Sequence, residues 1–120
     1  MKGKVTLWSV PRLPMGRFPT PLEPAPRLGA AIGLPRLWIK RDDQTGPALG
    51  GNKARKLEYL MAEAQSQGAD TVITVGAVQS NHARMTAAAA ASLGMDAVLV
   101  LSGAEPDRAS GNLRLDHLLG

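Results

Sequence analysis

Thr71-Val72-Ile73-Thr74-Val75-Gly76-Ala77-Val78-Gln79-Ser80-Asn81-His82 passes without interruption from a β-branched run, through a polar turn, into a helix start. Thr71 to Val75 is β-branched throughout, which predicts a buried strand. Gly76 to His82 is the loop behind it, and an Ala-rich helix follows from Asn81 to Leu93, with Gly94 as its cap. Asp96 to Leu101 is the next buried strand. Strand, helix and strand joined by short loops predict a parallel pair linked by a right-handed crossover. Ligands in such sheets sit at the carboxyl ends of strands, beside helix N-termini.

Upstream, Gly50-Gly51-Asn52-Lys53 opens a second helix that runs to about Gln67 and stops at Gly68. Leu57, Leu60, Met61 and Ala64 recur at helical spacing and predict its apolar stripe, with Asn52 as N-cap. Arg36 to Arg41 reads as a strand with Leu37 and Ile39 on one face and Trp38 on the other. The polar turn from Asp42 to Pro47 ends it; one of its two acids is expected to anchor an arginine or a helix N-terminus. Downstream, Ser102 to Asp107 form a loop, and Ser110 or Asn112 caps a last helix bearing Leu113, Leu115, Leu118 and Leu119. Residues 1–35, rich in Pro and Arg, are expected to form an extended N-terminal arm, with a short helix from Ala25 or Pro26 to Ile32 closed by Gly33. Residues 36–120 then form one incomplete α/β domain, an open parallel sheet with flanking helices.

The chain has 120 residues, a formal net charge of +4 and a sequence pI near 10.0. Its basic residues are dispersed and only 3% of residues are aromatic, which argues against a nucleic-acid surface. With no cysteine there is no disulfide framework, thiolate metal site or cysteine nucleophile, in keeping with a reducing cytoplasm. Pro11, Arg12 and Pro14 interrupt the N-terminal stretch, so no signal peptide is expected, and no apolar run is long enough to span a membrane. Asp42 and Asp43 are adjacent and point to opposite sides of an extended chain, so no metal site is expected there.

Two loops carry the candidate chemistry. Lys53 stands at the mouth of a helix behind a Gly-rich turn, where a cation gains nothing from the helix dipole. A lysine so placed is a candidate to form a Schiff base with a carbonyl cofactor. Lys53 and Lys56 together suit a phosphate; the plainer alternative is a solvated basic face balanced by Glu58 and Glu63. Gln79-Ser80-Asn81-His82 lines up four hydrogen-bonding side chains at a helix start, an anion or cofactor site or simply an N-cap at Ser80 or Asn81. The glycine spacing matches neither a Walker A loop nor a dinucleotide fingerprint, and there is no G-x-S-x-G elbow. His117 reads as a surface residue of the last helix.

In order along the chain stand Pro19-Thr20-Pro21-Leu22, Ile39-Lys40-Arg41-Asp42-Asp43, Gly50-Gly51-Asn52-Lys53-Ala54-Arg55-Lys56-Leu57-Glu58 and Gln79-Ser80-Asn81-His82, then Gly111-Asn112 and Leu115-Asp116. Together they resemble the D-cysteine desulfhydrase / 1-aminocyclopropane-1-carboxylate deaminase family, pyridoxal-phosphate lyases with the tryptophan-synthase-β type of fold, a three-layer αβα arrangement. The resemblance covers Arg17 to Gly120 and looks like the N-terminal portion of such an enzyme. It implies that Lys53 carries pyridoxal 5'-phosphate as a Schiff base, with Lys53 and Ser80 catalytic. Lys56 meets the cofactor phosphate, Asn81 the ring 3′-oxygen, and Asn52 is counted with the cofactor-binding residues. Ser80, Asn81, His82 and Gln79 face the substrate. His82 stands where the aminocyclopropane deaminases have Gln. That favours elimination of sulfur from D-cysteine, giving pyruvate, ammonia and sulfide, over aminocyclopropane-carboxylate deamination or L-cysteate cleavage. A cytoplasmic homodimer acting on a small amino acid, without nucleic-acid or membrane partners, is the expected setting. A non-catalytic α/β binding module is the reading from a different class.

Overall fold

The computed structural model describes residues 9–104 and 106–120. The expectation about the first eight residues, and the part of the loop at position 105, lie outside the described residues. Eight elements follow one another: β1 (Leu22–Pro24), α1 (Pro26–Ala31), β2 (Trp38–Lys40), α2 (Ala54–Ser66), β3 (Thr71–Ala77), α3 (Asn81–Leu93), β4 (Asp96–Ser102) and α4 (Gly111–Leu119). Two 3-10 turns, Asp42–Gln44 and Pro47–Leu49, fill the connection from β2 to α2.

β3 and β4 pair in parallel, Thr71 opposite Asp96 and Ala77 opposite Ser102, with α3 as the connection. The expected α/β organisation with a parallel sheet is present. Each strand runs slightly further than its β-branched run, since Gly76, Ala77 and Ser102 still pair. α3 lies on the sheet face that carries Val72 and Ala97, and its small side chains allow the close approach: Ala83, Ala87, Ala89 and Ala90 are buried. The core gathers Ala54, Leu57 and Met61 of α2 with Met85, Ala89 and Ala90 of α3.

The strands are not buried on both faces. Ile73 and Val75 are 71% and 70% exposed, and Val98 and Val100 are 47% and 54% exposed. Helices cover one face only, so two of the three expected layers lie within the described residues. The expectation of a buried strand is corrected: Thr71, Val72 and Thr74 are half-buried and Ile73 and Val75 exposed, because nothing among the described residues covers the second face.

β2 pairs antiparallel with β1 in a separate two-stranded ribbon, Leu22 opposite Lys40 and Pro24 opposite Trp38. Pro24 is tolerated because it ends an edge strand. From the arm, Leu13, Met15 and Phe18 pack on the core of α2 and α3. The buried stripe of α2 is Ala54, Leu57, Glu58, Met61 and Ala62, turned away from Leu60, which is exposed. Glu58 causes the turn. It is only 2% exposed and accepts from the backbone N–H groups of Met15 (2.9 Å) and Gly16 (3.1 Å), while its own carbonyl accepts from Leu13 N–H.

Candidate functional site

The approach to Lys53 is a left-handed turn. Ala48, Leu49, Gly50 and Gly51 all have positive φ (44°, 67°, 73° and 141°). A Cβ on Gly50 would sit 1.9 Å from the carbonyl oxygen of Asp43, and one on Gly51 would sit 2.7 Å from Met85 Sδ, so both positions require glycine. Thr45, fully buried, closes the turn: its Oγ1 accepts from Gly51 N–H (2.9 Å) and lies 3.0 Å from the Gly51 carbonyl, to which it donates. The turn delivers Lys53, not Asn52, as the N-cap of α2, with Lys53 already in helical backbone geometry. The predicted Asn52 cap is thus displaced by one residue. Asn52 spends its side-chain oxygen on the second loop instead, accepting from Asn81 Nδ2 at 3.3 Å.

That contact joins the two candidate loops. Ser80 is the N-cap of α3, and its Oγ accepts from Ala83 N–H at 3.2 Å, leaving the hydroxyl hydrogen to donate elsewhere. A Cβ on residue 76 would sit 2.6 Å from Ser80 Cβ, so Gly76 lets the helix start fold back over the end of β3. His82 is half-buried; burial first, then the charges of Lys56 and Lys53, hold its pKa below the usual imidazole value. Thr86 Oγ1 donates to the His82 carbonyl (2.8 Å) and lies 3.4 Å from His82 Nδ1. Neither Lys53 nor Lys56 forms an ion pair among the described residues.

Gln79 faces α4. Its Nε2 donates to Ser110 O (3.0 Å), its Oε1 accepts from Asn112 N–H (2.9 Å), and Asn112 Nδ2 donates back to the Gln79 carbonyl (2.8 Å). Ser110 is the N-cap residue of α4 but makes no side-chain cap; Gln79 satisfies that helix start in its place. Lys53, Lys56, Asn52, Asn81, Ser80 and His82 thus lie where α2 and α3 begin, and Gln79 works at the next helix.

Asp42 anchors an arginine, as one of the two acids was expected to. Arg55 Nε and Nη2 form a fork on its carboxylate at 2.9 and 2.7 Å, and Thr20 Oγ1 donates to it at 2.7 Å. These bonds lower its pKa to about 2. Arg55 also lies over the Phe18 ring, 4.7 Å from its centroid, which ties the arm to the outer side of α2. Three supporting residues escape sequence reading: Thr45, Arg84 and the buried Glu58. For Arg84 a signal exists, a lone cation among the small buried residues of α3.

The profile of the family described as "Pyridoxal-phosphate dependent enzyme" matches residues 13–120. A Pyrococcus horikoshii protein provisionally named 1-aminocyclopropane-1-carboxylate deaminase is 52% identical over 110 residues, 92% of this chain and 33% of the relative. A D-cysteine desulfhydrase of Klebsiella pneumoniae (strain 342) is 53% identical over 107 residues, 85% of this chain and 32% of the relative. A crystal structure described as an ACC deaminase homologue superposes with a TM-score of 0.86 at 50% identity, over 95% of this chain and 34% of that one. The chain thus spans about a third of the length of the relatives it matches. The donor set suits a phosphate-bearing aldehyde: a lysine amine free of carboxylates, a second lysine one turn on, two carboxamides in contact, and a hydroxyl with its hydrogen to give.

Proposed function

Because the chain belongs to the pyridoxal-phosphate dependent enzyme family, whose cofactor is pyridoxal phosphate, we propose that the full-length protein is a lyase that cleaves D-cysteine to pyruvate, ammonia and hydrogen sulfide, one water being consumed. The observation that carries this reading is the placement of Lys53: an amine without an ion-pair partner among the described residues, at the start of α2, beside the start of α3. A carboxylate paired with the amine would compete with the cofactor for it, and a helix N-terminus offers a cation no stabilisation. When bound, pyridoxal phosphate supplies an electron sink for the bonds at the substrate Cα.

The chain's own groups do the rest. Lys53 Nζ would hold the cofactor through its carbonyl carbon and would serve as the base for the proton on the substrate Cα. Lys56 Nζ offers a cation to the phosphate. The Asn81 carboxamide, braced by Asn52, orients the ring oxygen. The Ser80 hydroxyl would donate toward the substrate carboxylate or Cα, and His82 would lie near the carboxylate. Deamination of aminocyclopropane carboxylate is the second reading, favoured by the names of the Pyrococcus relative and of the solved structure. The cytoplasm and a homodimer are proposed as the setting; the cysteine-free sequence agrees with the first.

The test is a pair of product assays on the full-length protein. Pyruvate from D-cysteine should form faster than 2-oxobutyrate from aminocyclopropane carboxylate. Lys53→Ala should lower kcat by at least about a thousandfold with the fold intact by circular dichroism. The reverse substrate preference overturns the choice of substrate, and an active Lys53→Ala variant overturns the role of Lys53.

A further inference from the structure

Arg84 lies two residues beyond His82, on the buried side of α3, and is only 6% exposed. A cation in a wall of alanines and methionine is costly unless it does something an apolar side chain does not. Both of its terminal nitrogens donate to the turn before Lys53: Nη1 to the Ala48 carbonyl, and Nη2 to the Gly50 carbonyl at 3.0 Å. These carbonyls belong to the run of four residues with positive φ, two of them not glycine. Left-handed backbone at Ala and Leu is sterically disfavoured, so the surroundings must hold it. Thr45 holds the Gly51 end, and Arg84 holds the Ala48 and Gly50 carbonyls. A planar fork suits this task because it fixes two acceptors at one relative orientation.

The acidic residue that acts on Arg84 comes from α4. Asp116 is buried, and both of its carboxylate oxygens lack a hydrogen-bond partner among the described residues, as does Arg84 Nε. The two act on each other through space: burial raises the Asp116 pKa while the Arg84 charge opposes it, and burial lowers the Arg84 pKa while Asp116 opposes it. α4, whose first turn Gln79 fastens, thus carries a buried carboxyl group that acts through space on the side chain that shapes the lysine turn.

We propose that Arg84 is a positioning residue for Lys53: it fastens the left-handed turn Ala48–Gly51 that presents the lysine. This rests on the reading of Lys53 as the cofactor lysine. An arginine serving only to fill the core would be replaceable by Met, because removing a buried charge in favour of an apolar isostere is often neutral for the fold. A fastener would not be replaceable.

The experiment uses the full-length protein and its Arg84→Met and Arg84→Lys variants, with Lys53→Ala as the blank. Two quantities are read. One is the apparent Kd for pyridoxal phosphate, from the Lys53-dependent visible band; the other is amide hydrogen exchange of residues 48–53 relative to peptides of α3. Arg84→Met should weaken the apparent Kd by about tenfold or more and speed exchange selectively in residues 48–53. Arg84→Lys, which keeps the charge and loses the fork, should fall between the two. If Arg84→Met does not fold, Arg84→Lys decides by the same two readouts. An unchanged Kd, or exchange accelerated as much in α3 as in the turn, overturns the proposal. A wild-type protein with no Lys53-dependent band overturns the cofactor reading and this proposal with it. A normal wild-type band with an unaffected variant overturns this proposal alone.

Discussion

Asp42 and Glu58 carry the contacts that bind the arm to α2, and each does so with a carboxylate. The Asp42 pKa is lowered to about 2, first by the Arg55 hydrogen bonds and then by that of Thr20. A carboxylate depressed in the folded state stabilises the fold above its unfolded pKa, near 3.8, and that contribution is lost as pH falls through about 2. Arg55 is partly exposed, so solvent screens the fork and we expect Asp42→Asn to cost about 1 kcal/mol at neutral pH. Urea unfolding at pH 7 and near pH 2 checks this: the gap between wild type and variant should close at the acid end. Glu58 is the stronger case, since it is buried and takes two backbone donors beside its 3.5 Å ion pair with the half-exposed Arg12. Glu58→Ala leaves both without an acceptor and should cost about 1–3 kcal/mol by the same measurement. The hydrophobic pattern of α2 did not foretell this. A stripe drawn through Leu57, Leu60, Met61 and Ala64 assumes that the buried face is apolar, whereas the arm brings N–H groups that require an acceptor there.

α3 shows what local signals determine. Its bounds follow from Ser80 before it and Gly94 after it, the first accepting from Ala83 N–H and the second in left-handed geometry. Ser80→Ala should therefore lower stability by about 1 kcal/mol as a lost cap, apart from any effect on turnover. A fall in turnover with no loss of stability would contradict the cap. α2 begins one residue later than its sequence indicates, because its start is set by Thr45 and Arg84 from other parts of the chain. Of the β1–β2 ribbon, β2 was legible within Arg36 to Arg41, but β1 and the pairing were not. Its pairing partners lie on either side of α1, and a proline-rich segment gives no alternation to read. At the site, the resemblance brings Lys53, Asn52, Asn81, Ser80 and His82 into view, and the structure adds what braces them. Gln79 shows the limit: in sequence it continues the polar run, yet both of its amide atoms serve the start of α4. Gln79→Ala should loosen α4 alone, read as faster amide exchange in residues 111–119 with β3 unchanged.

The molecule as a whole is a thin plate, 56 × 50 × 23 Å, with a radius of gyration of 17.3 Å. A closed domain of this length has a radius near about 14 Å. One open surface is the helix-free face of the β3–β4 pair, where Ile73, Val75, Val98 and Val100 stand side by side and exposed. Parallel strands are stable when both faces are covered, and contiguous apolar patches on soluble proteins are usually partners' ground. The solved relative, of which this chain spans 34%, has ample further length with which to cover such a face. We therefore expect the 120-residue chain by itself to bind the hydrophobic dye ANS, and a protein of the relatives' length to bind far less. Ile73→Thr with Val75→Thr, which keeps β-branched side chains in the strand, should reduce the dye signal of the short chain while leaving its far-ultraviolet circular dichroism unchanged. Equal dye binding by the two lengths would mean that this face stays open in the longer protein.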